Sequence, residues 1–257
     1  METTTTDAPP MLAFENVTKT FGEQTAVDDV TIDVPTGTTT ALIGSSGCGK
    51  STLLRMLVGL EHPTRGHVRV DGVDVTPRTL GHIRSRIGYV IQEGGLFPHL
   101  TARENVALAA RPHGWTMGRV EARLDPLVEL THFPPDGLDR YPGELSGGQR
   151  QRVSLMRALL TEPEALLMDD PFGALDPMVR HELQREFRDI VKETGKTALI
   201  VTHDLVEAGY LGDDVVLMNK GRVVQQGPFR KLLEAPASDF VRRFVEAQRA
   251  PGDGGAS

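Results

Sequence analysis

The sequence predicts an α/β fold with a mostly parallel sheet core, an N-terminal antiparallel β subdomain and an inserted α-helical subdomain. Three observations carry this. Short runs rich in Val, Ile and Thr recur along the chain, bounded by Gly and Pro. Helix-forming stretches separate the later runs, the pattern of strands linked by helical crossovers. Between about residues 92 and 160 the strand signal gives way to helical character, which reads as an insertion into the sheet domain.

Taken in order, strands are predicted at 12–17, 26–34 and 39–43, followed by a helix over 51–60. Further strands fall at 67–70 and 87–91. The helical stretch is broken at Pro112, Gly114 and 134–137. Strands return at 165–168, 197–201, 215–218 and 222–226, with a helix over 179–193 between the first two. Residues 229–247 should form two short helices divided at Pro236. One domain is thus expected over 11–248. Its core is 11–92 and 161–227, its helical subdomain 93–160 and its C-terminal helices 228–248. Residues 1–10, rich in Thr and Pro, and 249–257, rich in Gly, are expected to be flexible tails.

At 39% hydrophobic and 25% charged residues, the composition supports a buried core. A net charge of -7 offers no basic footprint, so nucleic acid is not an expected partner. No apolar run reaches the roughly 18 residues of a spanning helix. The opening METTTTDAPP lacks the basic and apolar segments of a secretory leader. A single cysteine, Cys48, excludes an internal disulfide. The expectation is a cytoplasmic protein that reaches a membrane only by docking.

The segment GSSGCGKS, from Gly44 to Ser51, fits G-x-x-x-x-G-K-[ST] and lies between a predicted strand and a predicted helix. Glycines let the backbone wrap closely around phosphate, and the helix start adds partial positive charge. Gly44, Ser45, Gly47, Cys48, Gly49, Lys50, Ser51 and Thr52 are the expected cradle of a P-loop NTPase core. Lys50 would reach the β- and γ-phosphates and the Ser51 hydroxyl would hold Mg2+. A glycine-rich turn matching by chance is the competing reading, and the strand–loop–helix context weighs against it.

The apolar run LLM ends in Asp169 and Asp170. Asp169 could hold Mg2+ through water, and Asp170 could orient or deprotonate an attacking water. On these residues alone, a solvated Asp-Asp-Pro turn fits equally well. Leu145 is followed by Ser146, Gly147, Gly148 and Gln149, ahead of the helical run RQRVSLMRALL. Ser146 is placed to cap that helix, and the glycines free its backbone to approach an anion.

That segment resembles the signature of ABC-transporter ATPases, and the other family elements follow in order over about residues 12–227. The resemblance implies roles for further residues. Gln92, after IGYVI, is similar to the glutamine linking the Mg2+ site to a membrane subunit. Asp176, in ALD, resembles the residue of the loop that crosses the dimer interface. His203, after TALIVT, resembles the switch histidine that contacts the γ-phosphate. Phe21 stands where the family sets an aromatic ring against adenine; core packing is its competing reading. Cys48 reads as a space filler, with thiol reactivity the alternative.

The resemblance further implies an ATP-dependent, head-to-tail homodimer, with each ATP between one copy's Lys50 loop and the other's 146–149 segment. Its implied partners are integral membrane permease subunits and, indirectly, a substrate-binding protein. Its implied place is peripheral, on the inner face of the cell membrane. The family usually has Glu where this chain has Asp170, so a slow but real ATPase is expected. IGYVIQEGGLFPHLTARENV and PFGALDP resemble ATPases of quaternary-amine osmoprotectant importers, whose solutes are glycine betaine, choline or carnitine. An importer of another small solute, an exporter motor and a nucleotide-gated subunit with very weak hydrolysis remain alternatives. Many osmoprotectant ATPases carry a C-terminal regulatory domain of the cystathionine-β-synthase type. The sequence has none, so ionic-strength sensing through one is not expected. Neither a second fused ATPase domain nor a long coiled-coil insertion is present, which weighs against translation and chromosome-maintenance classes.

Overall fold

The β-branched runs pair into two sheets in the computed structural model, which describes residues 9–249. The expected tails at 1–8 and 250–257 lie outside the described residues. The smaller sheet is antiparallel. It contains β1 (Leu12–Phe21), β2 (Gln24–Val34), and, after an intervening strand, β4 (Arg65–Val70) and β5 (Val73–Asp74), ordered β2-β1-β4-β5. β1 runs past the predicted end at 17 because the hairpin closes only at Gly22, where φ is 58°. Register shifts near Asn16, itself at φ 49°, break the alternation that would have revealed this from sequence.

The larger sheet holds β3 (Thr39–Gly44), β6 (Ile87–Val90), β7 (Ala165–Asp169), β8 (Thr197–Val201), β9 (Asp214–Asn219) and β10 (Arg222–Gly227). Its order is β10-β9-β3-β8-β7-β6, parallel throughout except where β10 returns antiparallel to β9. β3, β7 and β8 are buried along their full length, which explains their mostly apolar sequences without alternation. The predicted mostly parallel core is borne out.

α1 (Lys50–Leu57) follows β3, and α2 (Leu80–Ser85) precedes β6. α1 stops short of the predicted 60 because Gly59 takes φ 63°. Between β6 and β7 lie α3 (Ala102–Ala107), α4 (Met117–Leu130) and α5 (Gly147–Leu159), packed through Val106, Leu124, Leu127, Val153 and Met156. α6 (Pro177–Thr194) has each boundary signal in place: Asp176 accepts from the Val179 N–H at 3.1 Å, Pro177 opens the first turn, and Gly195 closes at φ 60°. α7 (Leu205–Leu211), α8 (Phe229–Glu234) and α9 (Asp239–Arg249) complete the chain. Arg249, expected in the tail, is instead the last residue of α9. Among the described residues no helix is long and apolar enough to cross a membrane.

Phe187 of α6, 1% exposed, meets Phe172 edge-on with ring centroids 6.3 Å apart. Phe172 lies in the turn after β7, so this contact seats that turn on α6. Phe187→Ala should lower the unfolding free energy by about 3–5 kcal/mol, read from denaturant unfolding. A loss under about 1 kcal/mol would mean that the pair is not a packing anchor.

Candidate functional site

β3 ends at Gly44, where a Cβ would lie 2.2 Å from the Met218 carbonyl oxygen of the adjacent β9. At Gly49, φ is 103° and a Cβ would lie 2.5 Å from the Ala26 carbonyl oxygen. Both positions therefore require glycine. The loop between them folds over Lys50, whose Nζ donates to the carbonyls of Gly44 at 2.8 Å and Ser45 at 3.0 Å. Cys48 is buried, with its Sγ 3.6 Å from the same Nζ, and fills the space under the loop. α1 begins with no side-chain cap, so its first N–H groups remain available to an anion.

A cleft of about 380 Å³ opens at this point. From the loop and α1 it is lined by Gly47, Gly49, Lys50, Ser51 and Thr52, together with Ser46. Gln92, Asp169, Asp170 and His203 reach it from the carboxyl ends of neighbouring strands. Ala26, Val201 and Thr202 close it; only their places at strand ends could have suggested them from sequence. Gly44, Ser45 and Cys48 shape the loop without lining the cleft.

The Ser51 hydroxyl donates to Asp169 Oδ1 at 2.8 Å. Asp169 is 6% exposed, so the solvated-turn reading fails for it. Burial pushes its carboxyl above the usual range, while the Ser51 hydroxyl, Arg55 and Lys50 pull the other way. A buried carboxylate against a hydroxyl is a suitable oxygen pair for a small hard cation. Among the described residues no cluster of His, Cys, Asp and Glu could by itself hold a metal. A small hard cation held by this pair would take its remaining oxygens from water or phosphate.

Asp170 takes φ 45°, a left-handed conformation that Asp tolerates better than most residues. Its N–H donates to the Val201 carbonyl at 2.8 Å, and its Oδ1 lies 3.1 Å from His203 Nδ1. The His203 side chain is 64% exposed.

The remaining predicted residues stand apart. Ser146 accepts from the Gln149 N–H at 3.2 Å and donates its own N–H to Gln149 Oε1 at 2.9 Å, capping α5. Gly148 is needed for packing: a Cβ there would lie 2.7 Å from Val179 Cγ1. Ser146, Gly148 and Gln149 do not line the cleft. Gly147 lines a neighbouring hollow that shares Gln92 and Asp170 with it, alongside Gly173, Ala174 and Leu175. Asp176 caps α6. Phe21 is 46% exposed under the Lys19 ammonium, 4.7 Å from its ring centre, so core packing is not its role; it does not line the cleft.

The sequence did not point to Glu207. It is 4% exposed on α7, where the Gln184 amide donates to Oε2 at 3.1 Å and Oε1 finds no partner among the described residues. Burial first, then the charges of Asp204 and Asp170, push its pKa up to about 7.

Residues 27–173 match the family described as ABC transporter. The carnitine transport ATP-binding protein of Listeria monocytogenes is 44% identical over 240 residues; the match covers 93% of this chain and 60% of that protein's length. The sulfate/thiosulfate import ATP-binding protein of Thermosynechococcus vestitus is 44% identical over 234 residues, covering 91% of this chain and 69% of that protein. Among solved structures, a dimeric ATP-binding cassette in a post-hydrolysis state with ADP and Pi superposes with a TM-score of 0.77. It is 32% identical and covers 86% of this chain and 99% of that one.

Glu207 yields a pH prediction. An acid raised by folding contributes stability fully present below its unfolded pKa, near 4.5, and lost as pH climbs through about 7. Glu207→Gln removes that dependence. The variant should gain on the wild type by on the order of 1–3 kcal/mol between pH 5 and pH 8, measured by denaturant unfolding. Parallel pH profiles for the two proteins would exclude a buried proton on Glu207.

Proposed function

The chain belongs to the ABC transporter family, and from that membership we propose that it binds and hydrolyses ATP to drive a membrane permease, working as a head-to-tail pair of copies. The observation that carries this reading is the convergence of Lys50, Ser51, Asp169, Asp170, Gln92 and His203 on one cleft.

Phosphate oxygens take the place of the Gly44 and Ser45 carbonyls on Lys50 Nζ, with the open N–H groups of α1 behind them. Ser51 and Asp169 would hold Mg2+, which would supply positive charge against the phosphates when bound. Asp170 orients the attacking water and accepts its proton. The water oxygen bonds to the γ-phosphorus as the bond to the β–γ bridging oxygen breaks, releasing ADP and phosphate. His203, with Nδ1 turned to Asp170, directs Nε2 toward a γ-phosphate oxygen. The partner copy's α5 start closes over the same phosphate. Phe21, exposed at the hairpin end, lies against adenine.

The loop from Gln92 to Gly95 also borders a groove of about 840 Å³ that includes Ile91, Phe97, Leu108 and Pro112. Ile91 and Phe97 are large apolar residues left exposed there. We place the permease contact in this groove, which keeps the chain on the inner face of a membrane, with a substrate-binding protein acting on it only through the permease. For cargo we propose a quaternary amine, in keeping with the carnitine relative. A different small solute is the second reading, favoured by the equal identity of the sulfate/thiosulfate relative.

ATP turnover by the purified chain tests the central claim. Lys50→Ala should abolish it, and Asp170→Ala should reduce it by about a hundredfold or more. Turnover that survives Lys50→Ala would sink the reading. Asp170→Glu should raise the single-turnover rate if the shorter carboxylate holds water back by about 1 Å. An unchanged rate would mean that the left-handed backbone at Asp170 already brings the carboxylate to the water. Phe97→Asp should leave ATP binding intact and abolish co-purification with the permease; retained co-purification would move the contact elsewhere.

A further inference from the structure

The loop carrying His203 runs from the end of β8 to the start of α7. Its local hydrogen bonds leave a gap. Asp204 accepts from the Val206 and Glu207 N–H groups at 2.7 and 3.0 Å, and its own N–H goes to Thr202 Oγ at 3.0 Å. The Leu205 N–H, another of the orphan donors at a helix start, lies outside this cap. Gln248, on α9, supplies its partner. Its Oε1 accepts the Leu205 N–H at 2.8 Å, while its Nε2 donates to the His203 carbonyl at 2.8 Å.

We infer that Gln248 is a positioning residue for His203, holding the histidine's backbone so that its ring meets the γ-phosphate. The side chain is 64% exposed, and among the described residues its polar contact is with Asp170. Packing therefore does little to fix it, and the backbone must. A primary amide accepts at its oxygen and donates from its nitrogen, so one side-chain tip serves both groups. Glutamate keeps only the acceptor. Asparagine falls a methylene short. The helix carrying Gln248 is anchored by Val241 and Val245, buried in one apolar cluster with Ala41 and Ile43 of β3. β3 ends in the phosphate loop, so α9 ties the histidine loop to the strand that carries Lys50.

This inference rests on the ATPase reading, and its test separates the two. In the purified chain, Gln248→Ala and Gln248→Glu should each lower kcat by roughly tenfold to a hundredfold, with the KM for ATP within about twofold. In a His203→Ala background, Gln248→Ala should add nothing. Leu124→Ala empties a buried position on α4, away from α9 and its amide; it should lower the melting temperature and leave kcat unchanged. A second readout is independent of turnover. The His203 ring nitrogen signals in 15N-histidine-labelled protein with ATP should shift in Gln248→Ala and not in Leu124→Ala. Identical ring signals in wild type and Gln248→Ala would overturn the inference. A loss that multiplies that of His203→Ala, or an equal kcat loss in Leu124→Ala, would also overturn it. ATP binding insensitive to Lys50→Ala would instead overturn the ATPase reading, and the role of Gln248 with it.

Discussion

Lys50, only 9% exposed, rests its ammonium on the carbonyl oxygens of Gly44 and Ser45. A buried cation must be held by oxygen or it destabilises the fold. Here its own loop supplies that oxygen, which keeps the loop closed around an anion-sized space. The arrangement dictates the neighbourhood. Gly44 must lack a side chain because β9 presses its Met218 carbonyl against it, and Gly49 because the Ala26 carbonyl approaches there. Phosphate oxygens can then replace neutral carbonyls on Lys50, and that exchange favours binding without rebuilding the loop.

The parallel sheet does the rest. β3 pairs with β8 and β8 with β7, so the strands end at one level: Leu42 and Asp169 both pair with Val201. Ligands of open parallel sheets collect outside the carboxyl ends of the strands. Asp169 and Asp170 leave β7 there, and His203 follows β8. The Ser51–Asp169 hydrogen bond joins α1 to β7 across that edge. The chemistry thus sits on rigid elements, and its more exposed members, Gln92 and His203, stand on the connecting loops.

The sequence made the centre legible because its motifs are contiguous. Gly44–Ser51 and the 145–149 segment each span a single entry into a helix, and the buried strands beside the first read as mostly apolar runs. What stayed hidden was short or set by distant contacts. α2 and α7 are too brief to show a helical period. The far end of β1 is masked by the irregularity at Asn16. The left-handed turn at Asp170, the buried acid at Glu207 and the tie from Gln248 to His203 depend on residues far apart in sequence. No local pattern announces them.

The two halves of the phosphate-binding equipment differ in how complete they are. The Lys50 loop is complete within one chain, with its lysine, its helix start and the facing Asp169 in place. The start of α5 is not. Ser146 and Gln149 spend their side chains capping each other's backbone, and Gly147 and Gly148 offer none. What remains there is backbone N–H and the partial positive charge of a helix end, a surface suited to an anion it does not itself hold. The hollow beside it reaches Asp170 but does not join Lys50 to the 146–149 segment. A complete cradle and an unused anion surface on one molecule are complementary when two copies meet head to tail. A two-fold axis would satisfy both at once and give two equivalent sites. That complementarity, more than any single contact, supports reading this chain as half of a machine whose cleft is finished by its twin.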